Sequence, residues 1–179
     1  MALGKRKDAL NFTPLVKFDA RNGKLFRCDR VQDDTGDWET KQTDITDSFS
    51  AIVDMENIEI GWIAFSSGGP PDFKMVPVGS EIGERPSDNH KEGFRVRMKL
   101  ANGAGNDVRE LTSTAKSNWQ SLDDLHDEYL NERSKHKGKL PIVGIAEVAQ
   151  VKTAAGTNYR PIFVITGWTK RPADLVNSK

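Results

Sequence analysis

Leu140 to Pro172, LPIVGIAEVAQVKTAAGTNYRPIFVITGWTKRP, decides how the chain is read. Ile142 to Thr153 and Tyr159 to Trp168 are two runs rich in Val, Ile, Phe and Tyr. They are separated by Ala154-Ala155-Gly156-Thr157-Asn158 and closed by Lys170-Arg171-Pro172. Runs of this composition, bounded by Gly, Asn and Pro, predict a β-hairpin. The return arm is apolar on both alternations: Ile162, Val164 and Trp168 on one, Phe163 and Ile165 on the other. A strand of that kind calls for cover on both faces. Ile162 to Ile165 are therefore expected to be buried, with basic and aromatic groups gathered at the strand's ends.

Just upstream, Thr112 to His136 reads as the one helix. Trp119, Leu122, Leu125 or His126, and Tyr129 recur at spacings of three and four and form one apolar stripe. Ser113 or Thr114 is the expected cap. Asp123, Asp124, Asp127 and Glu128 fill the outer side. Arg133, Lys135 and Lys137 suit the negative end of the helix dipole, and Gly138 stops the helix.

Before the helix the pattern is β. Phe94 to Leu100 alternates most regularly: Phe94, Val96, Met98 and Leu100 point one way, Arg95, Arg97 and Lys99 the other. At a rise of ~3.3 Å per residue this makes a row of cations roughly 7 Å apart on one strand face. The following Asn102-Gly103-Ala104-Gly105-Asn106 contains Gly-x-Gly but no third glycine, and reads only as a turn. Ser48 to Ser66 is a second β block, with Gly61 between Ile60 and Trp62 marking a bulge or bend. Ser67 to Gly93 is long and irregular, with a short strand at Phe73 to Val78. Thr13 to Val31 forms a first hairpin turned at Asn22-Gly23, where both residues tolerate positive φ. Gln32 to Asp47 is a polar surface loop with a short paired segment around Trp38.

This order, strands then helix then two strands, predicts a mainly β protein. The expected fold is a five-stranded OB-type Greek-key barrel with one helix between strands 3 and 4 and elaborated loops. The alternative is a β-sandwich with one packed helix. Strand one is placed in Leu15 to Val31, strand two in Ile52 to Phe65 and strand three in Phe94 to Leu100. Residues 1–13, with Lys5-Arg6-Lys7, are expected to be a flexible arm, 14–172 a single domain and 173–179 a C-terminal tail.

The chain has 179 residues, 36% hydrophobic and 29% charged, with 26 basic residues against 26 acidic. No apolar run approaches the ~18 residues of a membrane span, and no apolar stretch follows the basic N-terminal residues as a secretory signal would require. With Cys28 as its single cysteine, the chain is expected in a reducing, cytoplasmic setting. Zero net charge argues against binding nucleic acid through bulk charge but not through segregated charge.

The motifs of known catalysis are missing. His90, His126 and His136 stand in no His-Glu-x-x-His pattern, and there is neither a Gly-x-Ser-x-Gly elbow nor a phosphate-binding loop. Asp33, Asp34 and Asp37 lack the rest of a calcium loop. Asp123, Asp124, Asp127 and Glu128 are the only residues on which a magnesium-dependent nuclease could be argued, and a run of that kind on an exposed helix face is ordinarily solvated surface. The expectation is therefore no enzyme, no metal and no cofactor.

A single-strand binder needs cations along phosphates and rings on which bases stack. The candidates are Trp62, Phe65, Phe73, Lys74, Arg95, Arg97, Lys99, Tyr159, Arg160, Trp168 and Lys170. They would flank a groove between the Arg95 strand and the strand from Tyr159 to Lys170.

With these residues in view, IVGIAEVAQVKTAAGTNYRPIFVITGWTKRP resembles phage-type single-stranded DNA-binding proteins of the OB fold, through Tyr-x-Pro-x-Phe, Thr-Gly-Trp and the closing Pro. The resemblance covers about 33 residues closely and the rest by order of elements. It implies sequence-independent binding of single-stranded DNA in phage or bacterial replication, recombination or repair, without catalysis or cofactor. Replication or recombination proteins of host or phage are the implied partners, and a homodimer is compatible with it. The competing reading is a phage structural or assembly protein that does not bind nucleic acid.

Overall fold

Phe94, Val96, Met98 and Leu100 lie on one face of the strand about which the whole sheet is arranged, and all four are buried. The computed structural model describes residues 13–66, 70–101 and 104–176. The expected N-terminal arm with Lys5-Arg6-Lys7 lies outside the described residues, except for Thr13. So do Gly68-Gly69 and the Asn102-Gly103 pair of the predicted turn.

The strands are β1 (Leu15–Asp19), β2 (Lys24–Gln32), β3 (Trp38–Asp44), β4 (Ser50–Val53), β5 (Glu59–Ala64), β6 (Asp72–Pro77), β7 (Lys91–Leu100) and β8 (Val108–Ser113). Then come the helix α1 (Lys116–Glu132), a 3-10 turn (Arg133–Lys135), and β9 (Lys139–Thr153) with β10 (Gly156–Lys170). The protein is mainly β, as expected. Its sheet has ten strands rather than five, in the open order β10-β9-β4-β7-β8-β1-β2-β3 with β5–β6 as a side branch from β7. No described helix is long and apolar enough to cross a membrane.

β7 is paired along both edges. Its C-terminal half meets β4 (Ala51 opposite Leu100) and its N-terminal half meets β5 (Ile60 opposite Phe94). β4 and β5 thus run along β7 as one interrupted strand. β8 lies on the other edge (Val96 opposite Leu111). After α1, β9 returns to pair antiparallel with β4, and β10 folds back on β9. β1 pairs in parallel with β8 and antiparallel with β2. β10 is tied to the β1–β2 turn by a hydrogen bond from Tyr159 N–H to Ala20 O at 2.7 Å.

Two glycines bend the sheet where β5 crosses β7. Gly61 and Gly93 are opposite each other in register. A Cβ on Gly61 would lie 2.1 Å from Lys74 O, and one on Gly93 2.5 Å from Ser113 O. Only a residue without a side chain allows backbones to approach so closely.

Several predicted elements shift, each for a physical reason. Leu15 to Val31, expected to hold the first barrel strand, forms the β1–β2 hairpin beside β8, and the closing hairpin returns to β4. Residues 94–100, expected as the third strand, lie between β4 and β5 on one edge and β8 on the other. Thr112 and Ser113 pair with Arg95 and Phe94, so the helix begins at Lys116 instead of Thr112. The N-cap is Ala115, with no side-chain cap. Ser113 Oγ instead accepts from Ala115 N–H (3.1 Å) and from Asn118 Nδ2 (2.9 Å). The stripe itself holds: Leu122, Leu125 and Tyr129 are buried. Residues 162–165 are half-buried, not buried, and in β10 only Pro161 is enclosed. β10 ends the sheet; Phe163, Ile165 and Trp168 pack on the core, whereas Ile162 and Val164 are half-buried outside that cluster. The paired segment around Trp38 is a full strand, β3, exposed along its whole length.

A charge cluster holds β1–β2 against β8. Arg109, 2% exposed, donates to Asp29 Oδ1 (2.5 Å), Asp107 Oδ2 (2.6 Å) and Cys28 O (2.7 Å). Arg27 completes the group with Asp107 Oδ1 at 2.8 Å and Asp29 Oδ2 at 3.0 Å. Burial works against charge on Asp29 and Asp107, but the hydrogen bonds from Arg109 and Arg27 outweigh it and hold both carboxyls below the usual range.

Candidate nucleic-acid interface

Residues directly opposite each other in a sheet share a face. The core face of β7, β8, β1 and β2 carries Val96, Leu111, Val16 and Leu25. The outer face therefore carries Arg95, Arg97 and Lys99 on β7, Glu110 and Thr112 on β8, Leu15 and Lys17 on β1, and Phe26, Cys28 and Arg30 on β2. The predicted row of three cations is present on this face.

The β5–β6 hairpin overhangs this face and makes a cleft of about 610 Å³. Phe65, Pro70, Pro71 and Phe73 form its wall, and Leu15, Lys17, Cys28, Arg95 and Thr112 its floor. Phe65 is 57% exposed, unusual for a phenylalanine. The Arg95 guanidinium lies 4.5 Å from the Phe73 ring centroid, in cation–π range. Arg95 Nε is 2.5 Å from Glu110 Oε1 but is not aligned for a hydrogen bond, so the contact is Coulombic. Lys99 pairs with Asp174 at 3.0 Å. Arg97 has no ion pair among the described residues. Burial raises the Cys28 thiol pKa and so favours its protonated form.

The other candidates are dispersed. Trp62 and Lys74 are opposite each other on the far side of the β5–β6 hairpin from Phe73. Trp62 Nε1 donates to Gly83 O at 2.7 Å. Tyr159 packs on the core beside Gly23. Arg160 pairs with Asp124 of α1 at 2.9 Å, which lowers the Asp124 pKa through that hydrogen bond. Trp168 stacks between His136 (4.5 Å, 8°) and Tyr129 (5.9 Å, 26°) and closes the far end of the helix. Lys170 is exposed at the end of β10. One cleft thus gathers Phe65, Phe73 and Arg95, with Arg97 and Lys99 beyond it on the same face. Trp62, Lys74, Tyr159, Arg160, Trp168 and Lys170 lie elsewhere, so the predicted margin along β10 does not adjoin the Arg95 strand.

Some neighbours escaped the sequence reading. Lys17 and Leu15 join the face only because β1 pairs in parallel with β8, a contact across about 95 residues that leaves no local signal. His90 is buried: its Nε2 is 2.7 Å from Asp72 Oδ2 and its Nδ1 2.7 Å from Ser87 Oγ. With the imidazole neutral, Nε2–H donates to the carboxylate and Nδ1 accepts from the hydroxyl. Ser87 Oγ also accepts from Asn89 N–H at 3.3 Å. This set fastens the 78–90 loop to β6. Among the described residues no three His, Cys, Asp or Glu side chains are grouped to hold a metal ion. Glu128, one of the helix carboxylates, lies 3.4 Å from Ile165 N–H.

No family model, curated protein or solved structure matches the chain.

Proposed function

We propose that the protein binds single-stranded DNA without sequence preference and without catalysis, on the outer face of β7, β8 and β1 beneath the β5–β6 hairpin. The observation that carries the reading is the joining of Phe65 and Phe73 to Arg95 and Lys17 around one cleft, with Arg97 further along the same strand face. Exposed rings suit stacking, a contact indifferent to base identity, and cations nearby suit phosphates.

The connectivity supports it. A run of β4/β5, β7 and β8, a helix, then a hairpin whose first strand returns to β4 is compatible with the strand order expected of an OB fold, within an open sheet in which β8 pairs onward with β1. In an OB fold strands 2 and 3 carry the oligonucleotide face, and on this reading β7 and β8 would take that role. The added β1–β2–β3 segment occupies the free edge of β8 and extends the face.

The test is fluorescence anisotropy of a labelled dT20 oligonucleotide at low and high salt. Binding that weakens steeply with salt is the expected result. No binding at low salt overturns the proposal. A large homo-oligomer by light scattering, with no DNA affinity, would favour an assembly protein instead.

A further inference from the structure

A second cleft, of about 580 Å³, lies on the other side of the β5–β6 hairpin, between the start of β7 and the start of α1. Its size is within the range of ligand sites. Two tryptophans line it, Trp62 and Trp119, together with Arg85, Lys91 and Lys116 and a single carboxylate, Glu92.

The groups are pre-set in a way those of the outer face are not. Trp62 is held by its hydrogen bond to Gly83 O (2.7 Å), and Trp119 by edge contact with Phe94 (6.3 Å, 62°). Both are half-buried, so each ring is anchored yet keeps part of its surface open. Arg85 Nε and Nη2 donate to His90 O (2.7 Å) and Asp88 O (2.6 Å), which orients the guanidinium and leaves Nη1 unpartnered among the described residues. Lys91 and Lys116 are exposed and have no ion pair among the described residues, whereas Arg95, Lys99 and Arg160 each have a carboxylate partner. Anchored rings beside unneutralised cations suit a planar ring system carrying an anion. The cleft adjoins another cavity through Lys116 and Gln120, which leads on to Asn158 and Arg160 at the tip of the β9–β10 hairpin.

We propose that this cleft is a nucleotide subsite, taking one base against Trp62 and Trp119 with its phosphate toward Lys91 and Lys116. It goes beyond the outer-face reading, because it needs neither Phe73 nor Arg97.

The experiment titrates the tryptophan fluorescence of the full chain with thymidine 5′-monophosphate and with thymidine. It compares the wild type, the double variant Lys91→Ala/Lys116→Ala, and the control Arg97→Ala. Both lysines are exposed, and circular dichroism would check that the variants fold. The monophosphate should quench saturably, and the double variant should weaken it about tenfold, as expected for lost charged contacts. Arg97→Ala should leave it unchanged, and thymidine should bind more weakly than its phosphate. Competition by unlabelled dT20 would assign the subsite to a residue of a strand; its absence would assign it to a free nucleotide. The proposal is overturned if the monophosphate does not quench, or if it binds the double variant as tightly as the wild type. If dT20 still binds in either case, the outer-face reading survives alone.

Discussion

β7 and β8 present arginines on both faces, and the two sets have opposite surroundings. On the core face Arg109 is 2% exposed, and its side chain donates to Leu15 O, Cys28 O, Asp29 and Asp107. On the outer face Arg95 is partly exposed beneath Phe73, and Arg97, one pair further along, has no ion partner among the described residues. The same residue type serves cohesion on one face and, in Arg97, is left without an ion partner among the described residues on the other. What separates them is the desolvation that surrounds the charge, and whether carboxylates already neutralise it.

The largest consequence concerns cohesion. Arg109→Met should lower the unfolding free energy by about 3 kcal/mol, the low end for a broken buried ion pair because Asp29 and Asp107 remain partly solvated. Urea denaturation would measure it, and a loss within experimental error would mean that the cluster does not hold β1–β2 in place. Acid should remove the same contribution. The Asp29 and Asp107 carboxyls have lower pKa values folded than unfolded. Their contribution is therefore complete above the unfolded value, about pH 4, and disappears as pH falls through the folded values. The stability gap between wild type and Arg109→Met should narrow over that interval and stay constant above it.

The outer face should behave in the reverse way. Phe73→Ala should weaken dT20 binding by about 1–3 kcal/mol, the usual contribution of one stacked base, in an anisotropy titration. Arg97→Ala should leave the urea midpoint almost unmoved, within about 0.5 kcal/mol, and lower the salt slope of dT20 binding by about one. Lys99→Ala should have the smallest effect on binding, because Asp174 already partners that ammonium and exposed pairs contribute about 0–1 kcal/mol. Equal losses for Arg97 and Lys99 would mean that ligand displaces Asp174.

Alternation and turn chemistry are local, and the residues that depend on them were legible. Phe94 to Leu100, the Asn22-Gly23 turn, the Leu122–Leu125–Tyr129 stripe and the long closing hairpin are all found in the fold. Within the candidate interface, the outward row of Arg95, Arg97 and Lys99 followed from period-two alternation alone. The end of β8 was misread as helix because Thr112 and Ser113 suit a helix cap as well as a strand, and only pairing with β7 decides between them. Trp168 looked like a binding ring because composition cannot reveal that His136 and Tyr129 stack on it.

By itself, then, the sequence determined most of the strands, though not β8 and only a part of β3, the apolar stripe of the helix, and that cations line one side of β7. These depend on residues a few positions apart, whose side-chain directions the backbone period sets. Tertiary structure alone decided which cations are neutralised, which rings are open, and that β1 extends the β8 edge. Those outcomes depend on contacts between distant segments: Arg95 with Glu110, Lys99 with Asp174, Leu15 beside Glu110. The energy of each such contact is set by burial and by the charge of the partner, neither of which a local pattern carries.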